Sequence, residues 1–180
     1  METQRKLLSD ILKALALSAG KDTTRPQLFK INVRADGATL RLETTNGHAA
    51  CRYEFRGFIT DPSVRVIEIP ALKVVLAQLA TEKGAIDLRL WFKSLPVAGE
   101  SFPDLEPILR NALAPKTAPV TAIGVDPEYL AVASKQCDAV RKKSEGAVLK
   151  IGGALDPIVM LASKDGVECT CVVMPMTLPK

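Results

Sequence analysis

The sequence predicts an α+β protein in which helices cover one face of antiparallel sheets. Three observations support this fold class. A β-α-β-β-β unit recurs with helices beginning near residues 5, 70 and 127, alternating strands flank hairpin signals, and 47% of the 180 residues are hydrophobic. A chain of this length and composition can bury a core, which excludes a disordered or collagen-like protein. The net charge of +4 permits a polyanionic partner without requiring one.

The first unit begins with a helix over residues 5–18, where leucines and an isoleucine recur at helical spacing. The period then changes to two, which predicts three strands of an antiparallel meander. These strands cover residues 29–35, 39–43 and 49–55, and the pairs Asp36-Gly37 and Asn46-Gly47 supply the turns between them.

The second unit is shorter. Residues 64–69 predict a strand, Pro70 suits the first turn of a helix, and alternation over residues 86–92 predicts another strand. Four prolines between residues 101 and 119 favour a linker or boundary loop.

The third unit has the clearest helix start, with Asp126 as the N-cap and Pro127 as the first helical residue. A strand is predicted before it, over residues 120–125. Three strands follow it, over residues 148–151, 157–162 and 167–174. The first unit lacks a leading strand and the last ends in a strong one, so we expect head-to-tail pairing of these ends between copies.

The single histidine, His48, argues against a multi-histidine metal site or a histidine relay. Cys169 and Cys171 are spaced as half of a metal site, but residues two apart on a strand share a face, so core packing is the favoured interpretation. No cofactor is expected. The four cysteines in a core-rich chain without an apolar run of ~20 residues indicate a reduced, intracellular protein with no membrane segment.

Three strings resemble the bacterial DNA polymerase III beta subunit, the sliding clamp. The first is the C-terminal string from Val172 to Leu178, in which Thr177 stands where the family has an arginine after Met-Pro-Met. The second is the turn around Asn46-Gly47-His48, and the third is Phe102-Pro103-Asp104. The resemblance covers most of the chain, but the usual family member carries six half-units and this sequence about three.

The resemblance implies a clamp-like domain over residues 1–108, similar to the family's middle domain, and a half domain over residues 109–180. It implies a non-enzymatic, cytoplasmic processivity factor for DNA replication. Such a protein would encircle double-stranded DNA, without reading its sequence, as a homo-oligomeric ring. A ring of twelve half-units would need four copies with three half-units each, or three copies with four. The alternative is a clamp-derived adaptor or inhibitor that binds replication proteins without forming a ring.

Two sets of residues follow from the resemblance. The DNA-facing candidates are cations on or just after the predicted helices: Lys13, Arg25, Lys73, Lys135, Arg141 and Lys142. The candidate pocket for short peptide motifs of the replicative polymerase and other partners consists of Gly47, His48, Pro70, Val75, Val172, Met174, Pro175 and Met176.

Overall fold

The computed structural model of the chain describes residues 2–20, 24–58, 60–81, 84–98, 102–114, 122–141 and 145–176. Its helices are α1 (Glu2–Ala16), α2 (Leu72–Thr81), α3 (Leu88–Ser94), α4 (Glu106–Leu113) and α5 (Pro127–Asp138). Its strands are β1 (Lys30–Ala35), β2 (Thr39–Thr45), β3 (Ala49–Arg56), β4 (Ser63–Glu68), β5 (Val148–Lys150), β6 (Ile158–Lys164) and β7 (Val167–Val173).

All of these strands form one antiparallel sheet in the order β4-β1-β2-β3-β7-β6-β5. The central pairing joins the two ends of the chain, because β3 lies beside β7 with Cys51 opposite Cys171. Strands from both sides of residue 108 therefore share one sheet. The assignment of each segment to a particular domain of the resembled family stays a prediction.

A large apolar cluster fills the space between this sheet and its helices. Helix α1 contributes a fully buried stripe, and α2, α3 and α5 add side chains to the same cluster. Gln136 links α5 to α1, because its Nε2 donates to Ala14 O (3.2 Å) and to Ser18 Oγ (2.7 Å). We call this side of the sheet the helical face.

Helix α4 lies on the opposite side of the sheet. Its buried Leu109, together with Leu105 just before it, packs on Val159 and Val172 in a second, smaller cluster. The prediction of a linker over residues 101–119 was therefore wrong for 106–113. Prolines do not prevent a helix here because Pro107 occupies its first turn, where the missing N–H costs nothing. We call this side the α4 face.

Residues 88–94 are also helical, where the sequence predicted a strand over 86–92. Asp87 caps α3 by accepting from the amides of Arg89 and Leu90. The buried residues Trp91, Phe92 and Leu95 lie at helical spacing, whereas Leu90, which alternation placed inside, is 67% exposed. The apolar residues of this segment fit both the strand period of two and the helical period of about 3.6. The segment is helical because the helix buries Trp91 and Phe92.

The antiparallel α+β class is confirmed, and so is the cap of α5, where Asp126 accepts from the amide of Glu128. Only two complete units of a helix and three strands are present among the described residues, α1 with β1–β3 and α5 with β5–β7. Residues 122–125 contain one isolated bridge rather than the predicted strand, and residues 120 and 121 lie outside the description.

The prediction that the last strand, 167–174, pairs with the first unit of another copy is also wrong. Strand β7 is central in the sheet, and the outer strands are β4 and β5. No helix in the described part of the chain is long and apolar enough to cross a membrane.

Candidate nucleic-acid and peptide interfaces

A groove of ≈ 820 Å³ runs between α1 and α5 on the helical face. We call it the helix groove. Five cationic and three acidic side chains line it: Lys6, Lys13, Lys135, Arg141, Lys164, Asp10, Asp138 and Asp165. The excess of positive charge over two neighbouring helices suits contacts to phosphates, which need charge but no base-specific geometry.

Two of these cations have acidic partners within the groove. Lys13 Nζ lies 4.0 Å from Asp10 Oδ1, with both side chains largely exposed. Arg141 Nε lies 2.8 Å from Asp138 Oδ1, and Arg141 Nη1 donates to Glu145 O at 2.9 Å. Exposed pairs of this kind contribute little to stability, so a polyanion can compete for Lys13 and for Arg141.

The structure brings only part of the predicted DNA-facing set together. Lys13, Lys135 and Arg141 line the helix groove, whereas Lys73 lies exposed on α2 and is not among the groove residues. Arg25 lies at one end of the sheet, and Lys142 falls outside the described residues.

Sequence reasoning missed Lys6 and Lys164 in the groove. Lys6 was detectable, because it precedes Lys13 by seven residues and so shares its helix face. Lys164 was not, because its place depends on how the β6–β7 hairpin meets α1 and α5.

The hairpin tip between β2 and β3 is tightly organised. Gly47 has a φ of +91°, which a residue with a side chain rarely adopts. Asn46 Oδ1 accepts from the amides of His48 and Ala49, both at 2.9 Å, and Thr45 Oγ1 accepts from the amide of Gly47 at 3.0 Å. The sequence Thr-Asn-Gly-His therefore fixes where His48 projects.

His48 forms one wall of a cleft of ≈ 420 Å³ at this end of the sheet. Its ring stacks on Tyr129 of α5, with centroids 5.6 Å apart and planes at 10°. Arg25 also lines the cleft. The aromatic pair offers an apolar, partly exposed surface between a turn and a helix start. Tyr129 was missed because nothing in the sequence pairs it with residue 48.

The tail after β7 runs beside the same hairpin. Met174 N donates to His48 O, and Met176 N donates to Gly124 O, each at 2.9 Å. The main chain is thus fixed while Met174 and Met176 are 41% and 53% exposed. Flexible thioether side chains on a fixed backbone can adapt to different apolar partners.

The predicted peptide-pocket set is therefore divided. Gly47 and His48 and the segment 174–176 meet at one end of the sheet. Val172 is buried beneath α4 and is not exposed to a peptide. Pro70 and Val75 follow β4, which is separated from β3 by β1 and β2, and they are not among the residues that line the cleft beside His48.

No protein-family model and no curated protein sequence matches the chain. Solved structures do match it. A DNA polymerase sliding clamp from Bacillus subtilis is 12% identical, with a TM-score of 0.67 over 97% of this chain and 63% of that one. The sliding clamp (DNA polymerase III subunit beta) from Bartonella birtlesii, bound to griselimycin, is 14% identical, with a TM-score of 0.67 over 98% and 64%.

The DNA polymerase III beta subunit from Thermotoga maritima is 12% identical and has a TM-score of 0.61, with 97% of this chain and 64% of that chain covered. The chain spans a little under two thirds of the length of each of these proteins. At such low identity the likeness concerns the fold. The continuous antiparallel sheet, with paired helices on one face, is the fold of the bacterial DNA polymerase III beta sliding clamps.

Proposed function

We propose that the chain is a sliding-clamp-like replication factor whose copies assemble head to tail into a ring around duplex DNA. The observation that carries this proposal is the side-by-side placement of α1 and α5 on one face of the sheet, with a net positive groove between them. In this assembly the helix groove faces the phosphates. The role requires no catalytic chemistry and would be exercised in the cytoplasm.

The outer strands supply the proposed contacts between copies. Strand β5 leaves Val148 and Leu149 56% and 48% exposed, and an apolar edge of this kind is usually covered by another chain. At the opposite edge, the segment 96–97 pairs with β4. Val66 N donates to Pro96 O, and Arg65 forms a β-bridge with Val97, which is 70% exposed. Pairing β5 of one copy with this extended edge of the next would continue the sheet.

The number of copies follows from the units in each chain. The trimer and tetramer expectations assumed four or three half-units per chain. The described residues contain two complete ones, and β4 and α2 supply a strand and a helix of a further one. Light scattering distinguishes these numbers, since the monomer has a mass of 19.4 kDa.

The first experiment tests the ring by its topology. Protein bound to closed circular DNA should survive a high-salt wash and be released when the circle is cut, since a ring leaves through a free end. Leu149→Lys should reduce both the oligomer and the retention, because it places a charge in the proposed contact. Leu155→Lys is the matched control, since Leu155 is 79% exposed and lies outside β5. A monomer at tens of micromolar, or equal retention on cut DNA, would contradict the ring.

The helix groove is tested separately by charge reversal. The double variant Lys13→Glu, Lys135→Glu should weaken association with linear duplex by about tenfold or more at low salt, and the loss should be the same for any sequence. Lys73→Glu supplies the control, because it removes a similar exposed cation outside the groove. A larger effect from Lys73, or sequence discrimination at fixed salt, would argue against the groove.

A second candidate function is an adaptor that binds peptides without a ring. It is favoured by the fact that hairpin tip, Tyr129 and methionine tail all come from a single chain. A peptide with a glutamine near its start and an aliphatic-aromatic end, the motif of the resembled family, would place its apolar end against these side chains. Burying ~100 Å² contributes about 2–3 kcal/mol, and ordering the peptide offsets part of it, so this contact alone gives weak binding. We therefore expect an affinity that is micromolar at best and not nanomolar.

Fluorescence anisotropy of the labelled peptide tests this site. The double variant Met174→Ala, Met176→Ala should weaken binding by about tenfold, because both side chains are exposed beside the hairpin. Leu90→Ala, equally apolar and exposed on α3, should leave binding unchanged. Unchanged binding in the methionine variant would remove the tail from the site. Peptide binding by a monomer that does not stay on circular DNA would favour the adaptor.

A further inference from the structure

All four cysteines of the chain belong to the buried cluster of the helical face, and three of them have neighbouring sulfur atoms. The Sγ atoms of Cys51 and Cys171 are 3.4 Å apart, those of Cys169 and Cys171 3.6 Å, and those of Cys51 and Cys169 3.9 Å. Cys137 of α5 belongs to the same buried cluster. Each of the four residues is at most 1% exposed.

This meeting depends on long-range structure. Cys51 reaches Cys171 only through the register of β3 against β7, and Cys137 reaches both strands only through the docking of α5. Packing explains one or two small sulfur side chains in a core. It gives no reason for the entire cysteine complement of a 180-residue chain to converge from three elements.

The spacing of the three sulfur atoms matches that around a tetrahedral metal ion. Zinc binds thiolates at about 2.3 Å, which places neighbouring sulfur atoms of a tetrahedron about 3.8 Å apart. The triangle of 3.4, 3.6 and 3.9 Å has this size. Cys51, Cys169 and Cys171 have their sulfur atoms within 4.8 Å of one another, and Cys137 on α5 would supply the fourth ligand by a change in its side-chain position.

We propose that these four cysteines form a structural site for one thiophilic divalent ion, with zinc as the expected occupant. Four protein ligands leave no open position, which is typical of structural rather than catalytic zinc. Each thiol that binds releases its proton to solvent, so binding through four thiolates frees four protons and leaves a centre of formal charge −2. The site would tie α5 to β3 and β7, and hence the two halves of the chain to each other.

The ion also has a path to the cluster. A cleft of ≈ 460 Å³ beside β5 is lined by Arg141 and by Cys169, so one ligand borders a solvent-connected space although its own side chain is buried. This proposal does not depend on DNA or peptide binding, and it holds for a ring or for an adaptor.

The test measures metal in the full chain. Protein purified under reducing conditions should contain about one zinc ion per chain, as measured by inductively coupled plasma mass spectrometry. Metal-free protein titrated with Co²⁺ should develop the visible absorption of a tetrahedral thiolate site and saturate at about one equivalent. Folded protein that holds less than about a tenth of an ion per chain and gives no cobalt spectrum would overturn the proposal.

Variants separate ligation from packing. Cys137→Ser and Cys171→Ser should each lower zinc retention against a chelator by about tenfold or more. Val173→Ala is the matched control, because it removes volume from the same buried face of β7 without removing a ligand, and it should retain zinc. The cobalt titration of the unaltered protein decides the question even if a serine variant fails to fold. Free thiols are also counted in denatured protein that was purified under air. A count of two instead of four would indicate a disulfide and would also overturn the proposal.

Discussion

The two faces of the sheet are closed in different ways. On the helical face, four helices seal a continuous apolar cluster that contains the largest buried side chains, among them Tyr53 and Phe92. On the α4 face, one helix covers a small apolar cluster, and a row of charged side chains occupies the neighbouring strands.

The charged row is centred on Arg52 of β3. Its Nη2 lies 2.6 Å from Glu43 Oε1, and its Nη1 lies 2.8 Å from Glu106 Oε2 at the start of α4. Glu43 also accepts from Asn32 Nδ2 at 3.0 Å and has a side chain only 5% exposed. The same arginine therefore neutralises a buried carboxylate and holds α4 on the sheet.

The two faces are therefore stabilised by different interactions, apolar burial on one and ion pairs on the other. Apolar burial does not depend on charge pairs, so we expect α1 and α5 to keep their relative positions, and the helix groove to keep its shape, when the salt concentration changes. The α4 face combines its small apolar cluster with the ion pairs of one arginine. Its helix should respond to charge changes that leave the helical face intact.

Removal of Arg52 is the largest expected effect. Arg52→Met should lower the free energy of unfolding by about 3–5 kcal/mol, because Glu43 would remain buried without its cation. Arg56→Met on the same strand and face is the control, since the pair with Glu168 at 2.9 Å is exposed and is worth about 0–1 kcal/mol. Urea unfolding measures the loss of stability in both variants. Similar losses would mean that the buried pair of Arg52 matters no more than the exposed pair of Arg56.

Truncation of Leu109 should have a smaller and more local effect. Leu109→Ala removes the centre of the small cluster and should cost about 2 kcal/mol, mainly by allowing α4 to leave the sheet. Hydrogen exchange should increase in α4 and stay unchanged in α1. Leu113→Ala, at a position 39% exposed on the same helix, should change little. Faster exchange throughout the protein would mean that the two faces unfold together.

The helical face was the more predictable one. The stripe of α1, the cap of α5 and the strands β1–β3, β6 and β7 all carry local signals, namely helical spacing, Asp126-Pro127 and the hairpin turns. Helix α4 was missed because its prolines were interpreted as a linker, although Pro107 stands in a first turn. Helix α3 was missed because an alternating run of apolar residues is compatible with either period.

Sites that depend on sheet register were less predictable. The hairpin tip carries its own turn chemistry, and Met174 to Met176 lie next to it because β7 pairs with β3. Local sequence gives no signal for that pairing. Pro70 and Val75 were grouped with the hairpin and the tail on the resemblance alone, and their place in the site stays a prediction. The cysteine cluster has the same origin, since Cys51 and Cys171 are 120 positions apart.

The smallest expected effect is a pH dependence confined to the α4 face. The hydrogen bond from Arg52 lowers the pKa of Glu106 below its ordinary value of 4.5. A carboxyl group with a lowered pKa in the folded state stabilises the protein above the ordinary pKa, and this stabilisation is lost as the pH falls through the lowered pKa. Wild type should therefore exceed Glu106→Gln in stability near pH 7, by at most about 1 kcal/mol because Glu106 is 40% exposed. The difference should shrink below about pH 4.5 and vanish in stronger acid, as followed by urea unfolding at several pH values. Glu168→Gln, in the exposed pair with Arg56, gives the comparison for a simple loss of surface charge. A difference between wild type and Glu106→Gln that stays constant or grows on acidification would show that the contact with Arg52 does not hold α4 through its charge.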